Sequence, residues 1–277
     1  MTLSILVPSS LAREAEDKRE ATRKLGYVAR AAAIFNADRL IVFADEAGEQ
    51  TWDGGFVTTV LRYAATPPYL RKEVFGTRDE LEYAGVLPPL RIPAWTGSES
   101  TDSGSYREGI VTQVGPEGRV RVNCGMQHPV SLRSPSDIDV SEGERVTIRV
   151  SSRRPVRAKI VQEAPPGFRV IREDLGTALS RDDAGICIAT SRTGDEVTIS
   201  RLNELAEIIQ REGSTIAFGA PERGLDTILN SIATDTEPDR RSEWFDIWIN
   251  TIPNQGSKTV RTEEAMFASL ACLTLTE

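Results

Sequence analysis

A chain of 277 residues, 39% apolar and 27% charged, can bury a substantial core as one large domain or two smaller ones, and its composition is that of an ordinary globular protein. No stretch approaches the roughly 18 apolar residues of a membrane span, and the opening MTLSILVPSSLA has neither a basic leader nor a long apolar core, so a cytoplasmic protein is expected. The net charge of −8 excludes a uniformly basic nucleic-acid coat but leaves room for a local basic patch.

LSILVP (3–8) predicts a short strand. Residues 14–35 then place Leu25, Val28, Ala29, Ala32 and Phe35 on one helical face, and RLIVFAD predicts a second, fully buried strand. This β-α-β order predicts a parallel pair joined by a crossover helix. GFVTTVLRYAA predicts another helix, whereas TPPYLRKEVF and DELEYAGVLPPL carry helical spacing broken by prolines.

Near Arg91 the character changes. PAWTGSESTDSGSYREG is rich in Gly, Ser and Thr and predicts a linker or loop. From Glu108 to about Gln162 come short strands separated by turn signals: GIVTQV, RVRVNC, HPVSL, ERVTIRVSS and RAKIVQ. Such a run without helical period predicts a small antiparallel barrel of the oligonucleotide-binding (OB) type, the alternative being an extended β arm. The single histidine, His128, falls in this module, so chemistry that depends on Ser-His-Asp, Cys-His or multi-His constellations is not expected. Cys124, Cys187 and Cys272 are scattered and odd in number, which suggests neither a disulfide framework nor a metal site. Of the 33 basic residues 28 are Arg, a bias that RNA binding, a GC-rich genome or a salty cytosol would each produce.

After EAPPGF the α/β alternation returns with FRVIRED, GICIATS, a helix over 202–209, STIAFGA, a helix at LDTILNSI, WFDIWIN and a final helix. The expectation is therefore one discontinuous α/β domain, residues 1–95 and 165–277, interrupted by a β module at 96–164. Three loops of the last third follow strands: TSRTGDE (190–196), FGAPERG (218–224) and NTIPNQGSK (250–258). If their strands are neighbours, the loops converge on one cleft at the strand ends, where open parallel sheets bind ligands. Neither G-x-x-x-x-G-K-[ST] nor a G-x-G-x-x-G after the first strand is present, so a nucleotide-like ligand without a long phosphate chain fits better than a phosphate cradle.

ILVPSSL, ARAAAIFNADRLIVF, TPPYLRKEVF with EYAGVLPPL, and INTIPNQGSKTVRTEEA together resemble the SPOUT-class RNA methyltransferases, in the archaeal and eukaryotic branch that carries an inserted barrel. The resemblance covers nearly the whole chain. It implies a trefoil-knotted, Rossmann-like α/β domain with an OB-like insert, S-adenosyl-L-methionine as cofactor, RNA as partner, ribosomal more than transfer RNA, and a homodimer. It places the donor at Thr190, Gly219, Glu222, Gly224, Asn250, Ile252, Asn254, Gln255 and Ser257, and makes Arg261, Glu263 and Glu264 the catalytic candidates; for those three a purely structural role, in a helix cap and dimer salt bridges, stays open. VRTEEA resembles the corresponding end of the SPOUT enzymes that methylate uridine N3 in ribosomal RNA, which makes that atom the expected target. The rival expectation is a non-catalytic RNA-binding or ribosome-assembly factor on the same fold.

Overall fold

The computed structural model describes residues 2–96, 105–135, 139–153, 156–232 and 244–275. Strand β1 (Leu3–Pro8) is buried along its length. Helix α1 (Lys18–Ile34) starts four residues later than its apolar pattern suggests, because the Asp17 side chain accepts the Glu20 N–H and caps it there. Strand β2 (Arg39–Phe43) pairs with β1 in parallel, Ile5 opposite Leu40. Helix α2 (Gly54–Ala65) follows, and then the short α3 (Arg71–Phe75). Residues 79–90 make only two 3-10 turns, consistent with the prolines that limit helix propagation there. Next are α4 (Pro93–Thr96), β3 (Ser105–Val114), β4 (Arg119–Asn123), β5 (Val130–Arg133), β6 (Arg145–Arg153) and β7 (Val156–Val161). Most of the expected Gly/Ser/Thr linker, residues 97–104, lies outside the described residues.

The remaining elements are β8 (Arg169–Arg172), α5 (Leu175–Leu179), β9 (Ile186–Glu196), α6 (Ile199–Glu212), β10 (Ser214–Ala217), α7 (Leu225–Ile232), β11 (Ile247–Asn250) and α8 (Thr262–Leu273). Helix α6 outgrows its apolar stripe because the Thr198 side chain caps its start, and it stops at Gly213, whose φ of 80° terminates the helical run.

The chain divides into two compact units, one of residues 1–65, 79–90 and 168–277, the other of 66–78 and 91–167. In the first, six strands form an all-parallel sheet in the order β11-β9-β10-β1-β2-β8. Leu6, Ile41, Ala189 and Ala217 pack into a cluster with Leu225, Ile228 and Phe245 on one face, while Ile5, Val7, Leu40 and Val42 are also fully buried. A sheet covered on both faces is what continuous apolar strands require.

In the second unit an antiparallel sheet runs β5-β4-β3-β6-β7, and its two edge strands come against each other, so it curls into a nearly closed barrel. Val111, Val120, Val122, Leu132, Ile148 and Ile160 fill its interior. Residues 66–78 belong here: the Tyr69 hydroxyl donates to the Glu108 carbonyl at 2.9 Å, and Asn123 Nδ2 donates to Glu73 Oε1 at 2.8 Å. Among the described residues no helix is long and apolar enough to cross a membrane.

Candidate functional site

The strands that precede the three polar loops, β9, β10 and β11, are neighbours at one edge of the parallel sheet, so their C-terminal ends share one side of it. TSRTGDE is not a plain connector, however. Strand β9 continues to Glu196, and its register against β11 jumps: Trp248 pairs with Ala189, but Ile249 pairs with Asp195. Residues 190–194 therefore loop out between two paired stretches, and Gly194 is where they return. A side chain there would come within 2.6–2.8 Å of the Ile249 backbone, which only glycine avoids.

Asn250, 8% exposed, fastens this excursion to the next loop: its Nδ2 donates to the Arg192 carbonyl at 3.0 Å, and its Oδ1 accepts the Ile252 N–H at 3.0 Å in an Asx turn. Thr190 Oγ1 donates to the Ala217 carbonyl at 2.9 Å, tying the start of the excursion to β10. Beyond β10, Ala220 and Arg223 exchange backbone hydrogen bonds of 2.9 and 3.0 Å around Pro221 and Glu222, and Glu222 adopts a φ of 58°. Thr262 Oγ1, at the start of α8, donates to the Gly219 carbonyl at 2.9 Å, and Thr251 shares a 2.7 Å hydrogen bond with Ser269 farther along that helix.

Together these segments wall a cavity of about 540 Å³. Of the nine residues expected to hold a ligand, Thr190, Gly219, Glu222, Gly224, Asn250, Ile252 and Gln255 line it; Asn254 and Ser257 do not. Ser257 Oγ instead donates to the Thr259 carbonyl at 2.9 Å, within its own loop. The lining also includes residues that sequence reasoning passed over, among them Arg192, Arg223, Asp226, Thr251 and Lys258. Arg192, Arg223, Thr251 and Lys258 fall inside the quoted loops, so their position was the available signal; Asp226 lies just beyond one.

Arg261, Glu263 and Glu264 stand at the N-terminus of α8, between Val260 and Ala265 of the cavity wall, but none of the three lines the cavity. Glu264 Oε2 accepts the Arg261 N–H at 2.9 Å, so this carboxylate caps the helix. The Arg261 side chain is 44% exposed, with Glu20 as its ionic neighbour at 3.9 Å. Glu263 is buried, and desolvation raises its carboxyl above the ordinary range although Lys24 opposes the shift. Lys24, itself buried and ion-paired with Glu14, is pushed by desolvation down to about 8. His128 is exposed between β4 and β5, and among the described residues no cluster of three metal-ligating side chains is present.

The cavity has the size of a small-molecule site and mixes backbone amides, hydroxyls and a few charges with apolar wall from Phe218, Ile252, Val260 and Ala265. Gly224 borders it, and a side chain added there would meet no other atom within 4 Å. That lining suits a nucleoside-sized molecule with polar edges.

Comparison with known proteins leads the same way. A family model described as "Putative RNA methyltransferase" matches residues 2–273. The chain is 66% identical over 284 residues to an uncharacterized protein of Halobacterium salinarum, covering all of both chains. It is 30% identical over 309 residues to the Homo sapiens 28S rRNA (uridine-N(3))-methyltransferase, covering 98% of this chain and 77% of that one. The Drosophila melanogaster protein of the same name is 29% identical over 315 residues, covering 98% and 61%.

Proposed function

From the premise that the chain belongs to this RNA methyltransferase family, we propose that it is an S-adenosyl-L-methionine-dependent enzyme that methylates N3 of a uridine in ribosomal RNA. The observation that carries the reading is the convergence of the β9 excursion and the loops after β10 and β11 on one nucleoside-sized cavity. Relatives named for uridine-N3 methylation of 28S rRNA support the target.

In this reading the first unit is a SPOUT domain whose final helix follows a knotted path, and the cavity is its donor cleft. Thr190, Gly219, Gly224, Asn250, Ile252 and Gln255 would hold the donor, and Glu222 its polar edge; Asn254 and Ser257 would act by shaping the loop. When bound, the donor supplies an electrophilic methyl group on a sulfonium. The chain's own task is to align an acceptor nitrogen with it and to manage that nitrogen's proton. We assign Arg261 to the acceptor, because its half-exposed guanidinium can neutralise negative charge developing on the uracil oxygens. Glu264 fixes the Arg261 backbone, and Glu263, held near Lys24, sets the start of α8.

The barrel is proposed to grip the RNA. Residues 66–78 and 91–167 contain 14 of the 33 Lys and Arg but only 10 of the 41 Asp and Glu, so this unit is basic within an acidic chain. Tyr106, Arg149 and Lys159 are register partners across β3, β6 and β7, and the Arg149 guanidinium lies 5.9 Å from the Tyr106 ring centroid. An aromatic flanked by exposed cations suits an unstacked base and its phosphates. A homodimer is also proposed; the exposed Tyr27 and Ile34, two helical turns apart on α1, are the apolar surface that supports it.

Mass spectrometry of nucleosides from ribosomal RNA of cells with and without the gene tests the function. The deletion should lose N3-methyluridine from one site, and complementation should restore it. An unchanged profile together with retained RNA binding would replace this reading by the non-catalytic RNA-binding factor.

A further inference from the structure

One ion pair of the first unit joins Arg223, in the FGAPERG loop, to Asp45, which lies outside the three loops. Asp45, just beyond β2, has no solvent-exposed side-chain surface. Its carboxylate accepts Arg223 Nε at 2.9 and 3.1 Å, Arg223 Nη2 at 2.9 Å and Ser10 Oγ at 2.5 Å, while its N–H donates to Ser9 Oγ at 2.9 Å. Arg223 spends its remaining donor capacity in part on Ser231 Oγ at 2.9 Å. The loops after β1, β2 and β10 are thus joined by one charged side chain. Gly48 leaves the space for it: a methyl group added there would strike both the Asp45 carboxylate and the Arg223 guanidinium.

Asp45 is fully hydrogen-bonded and sealed, and the Arg223 guanidinium is held by Asp45 and Ser231. What remains is Arg223's backbone. It closes the Ala220–Arg223 turn, whose third residue is Glu222 at φ 58°. A non-glycine residue pays about 1–2 kcal/mol for that conformation and holds it only when its surroundings insist.

We propose that Asp45 and Arg223 are positioning residues: the pair clamps the Ala220–Arg223 turn so that Glu222 stays in its left-handed conformation on the cavity wall. The inference rests on reading that cavity as the donor site. Releasing the clamp lets the turn relax, and a ligand that needs the clamped turn binds only the fraction still in place. The apparent donor Kd should then rise by the factor corresponding to the strain, about 5–30-fold.

The test is calorimetry with S-adenosylmethionine and S-adenosylhomocysteine on the full chain, comparing wild type, Asp45→Asn, Glu222→Gly and the double variant. Glycine takes a φ of 58° unaided, so Asp45→Asn should raise the Kd about 5–30-fold in the wild-type background and less than about threefold in the Glu222→Gly background. Affinity for an RNA oligonucleotide should be the same for wild type and Asp45→Asn, which a general loss of structure would not allow. Arg223→Lys, which keeps the charge but loses the bidentate geometry, gives the same comparison if Asp45→Asn does not fold. An unchanged Kd, an equal loss in both backgrounds, or a parallel loss of RNA affinity overturns the clamp. Failure of the wild type to bind either compound overturns the donor-site reading, and the clamp with it.

Discussion

Replacing Asn250 tests the cavity at the point where two of its walls are fastened together. The side chain is 8% exposed and makes two hydrogen bonds, one donated to the Arg192 carbonyl and one accepted from the Ile252 N–H, each 3.0 Å long. Asn250→Ala removes both and leaves a carbonyl and an N–H short of partners in a half-buried wall. At about 1–1.5 kcal/mol for each lost bond the cost is roughly 2–3 kcal/mol, or about 30–150-fold in donor affinity if binding must restore the loop geometry. Asn250→Asp separates the two bonds. It keeps an acceptor for Ile252 but turns a carboxylate oxygen towards the Arg192 carbonyl, so it should bind donor no better than the alanine variant. Titration calorimetry with S-adenosylmethionine, accompanied by urea denaturation to establish that each variant is folded, gives the answer. A folded Asn250→Ala protein with a Kd within twofold of wild type would refute the claim that this residue couples the two loops.

Gly194→Ala should separate β9 from β11, because the new methyl group meets the Ile249 backbone; a loss of about 1–3 kcal/mol in urea denaturation and weaker donor binding are expected. Lys24 is protonated in the unfolded chain up to its usual 10.5 but only to about 8 when folded, so between those values the unfolded state binds more protons and stability gains as pH rises. The stability difference between wild type and Lys24→Met should therefore shift in favour of wild type from pH 8 towards 10.5; a flat difference would show that the ammonium is not desolvated. Arg149→Ala with Lys159→Ala should weaken binding of a single-stranded RNA and lower the slope of log K against log salt by about 1.4, the value for two phosphate contacts. An unaltered slope would remove the β6–β7 row from the RNA path.

Much of the parallel sheet was legible because its strands are short apolar runs and its helices carry single buried stripes. The three-loop convergence was legible for a related reason: each segment follows a short apolar run, and the neighbour relation β11-β9-β10 had to be supplied by the structure. The extension of β9 was not. Thr193, Gly194, Asp195 and Glu196 have no apolar alternation, and what makes the last two strand is their pairing with Ile249 and Asn250, far along the chain. Lys24 was equally hidden. A lysine inside an amphipathic helix is ordinarily placed on the wet face, yet here α1 buries it beside Glu263 of the last helix, and neither periodicity nor spacing links the two. The Asp45–Arg223 pair is of the same kind: FGAPERG reads as a ligand loop from its place after a strand, yet nothing in it or in ADEAG links Arg223 to Asp45.

The density of turn residues in NTIPNQGSK has a physical cause that bears on how such a cavity recognises anything. Asn250 holds the Ile252 N–H, Gln255 Nε2 donates to the Ser257 carbonyl at 2.9 Å, and Ser257 Oγ donates to the Thr259 carbonyl at 2.9 Å. These side chains satisfy the loop's own backbone, so the loop is shaped before a ligand arrives, and less conformational entropy is lost on binding. A loop built this way presents its backbone to the ligand and uses its polar side chains as internal struts. That division explains why Ser257 can matter to the site without lining it, and why Asn250, which is both strut and wall, is the residue whose loss should be felt most.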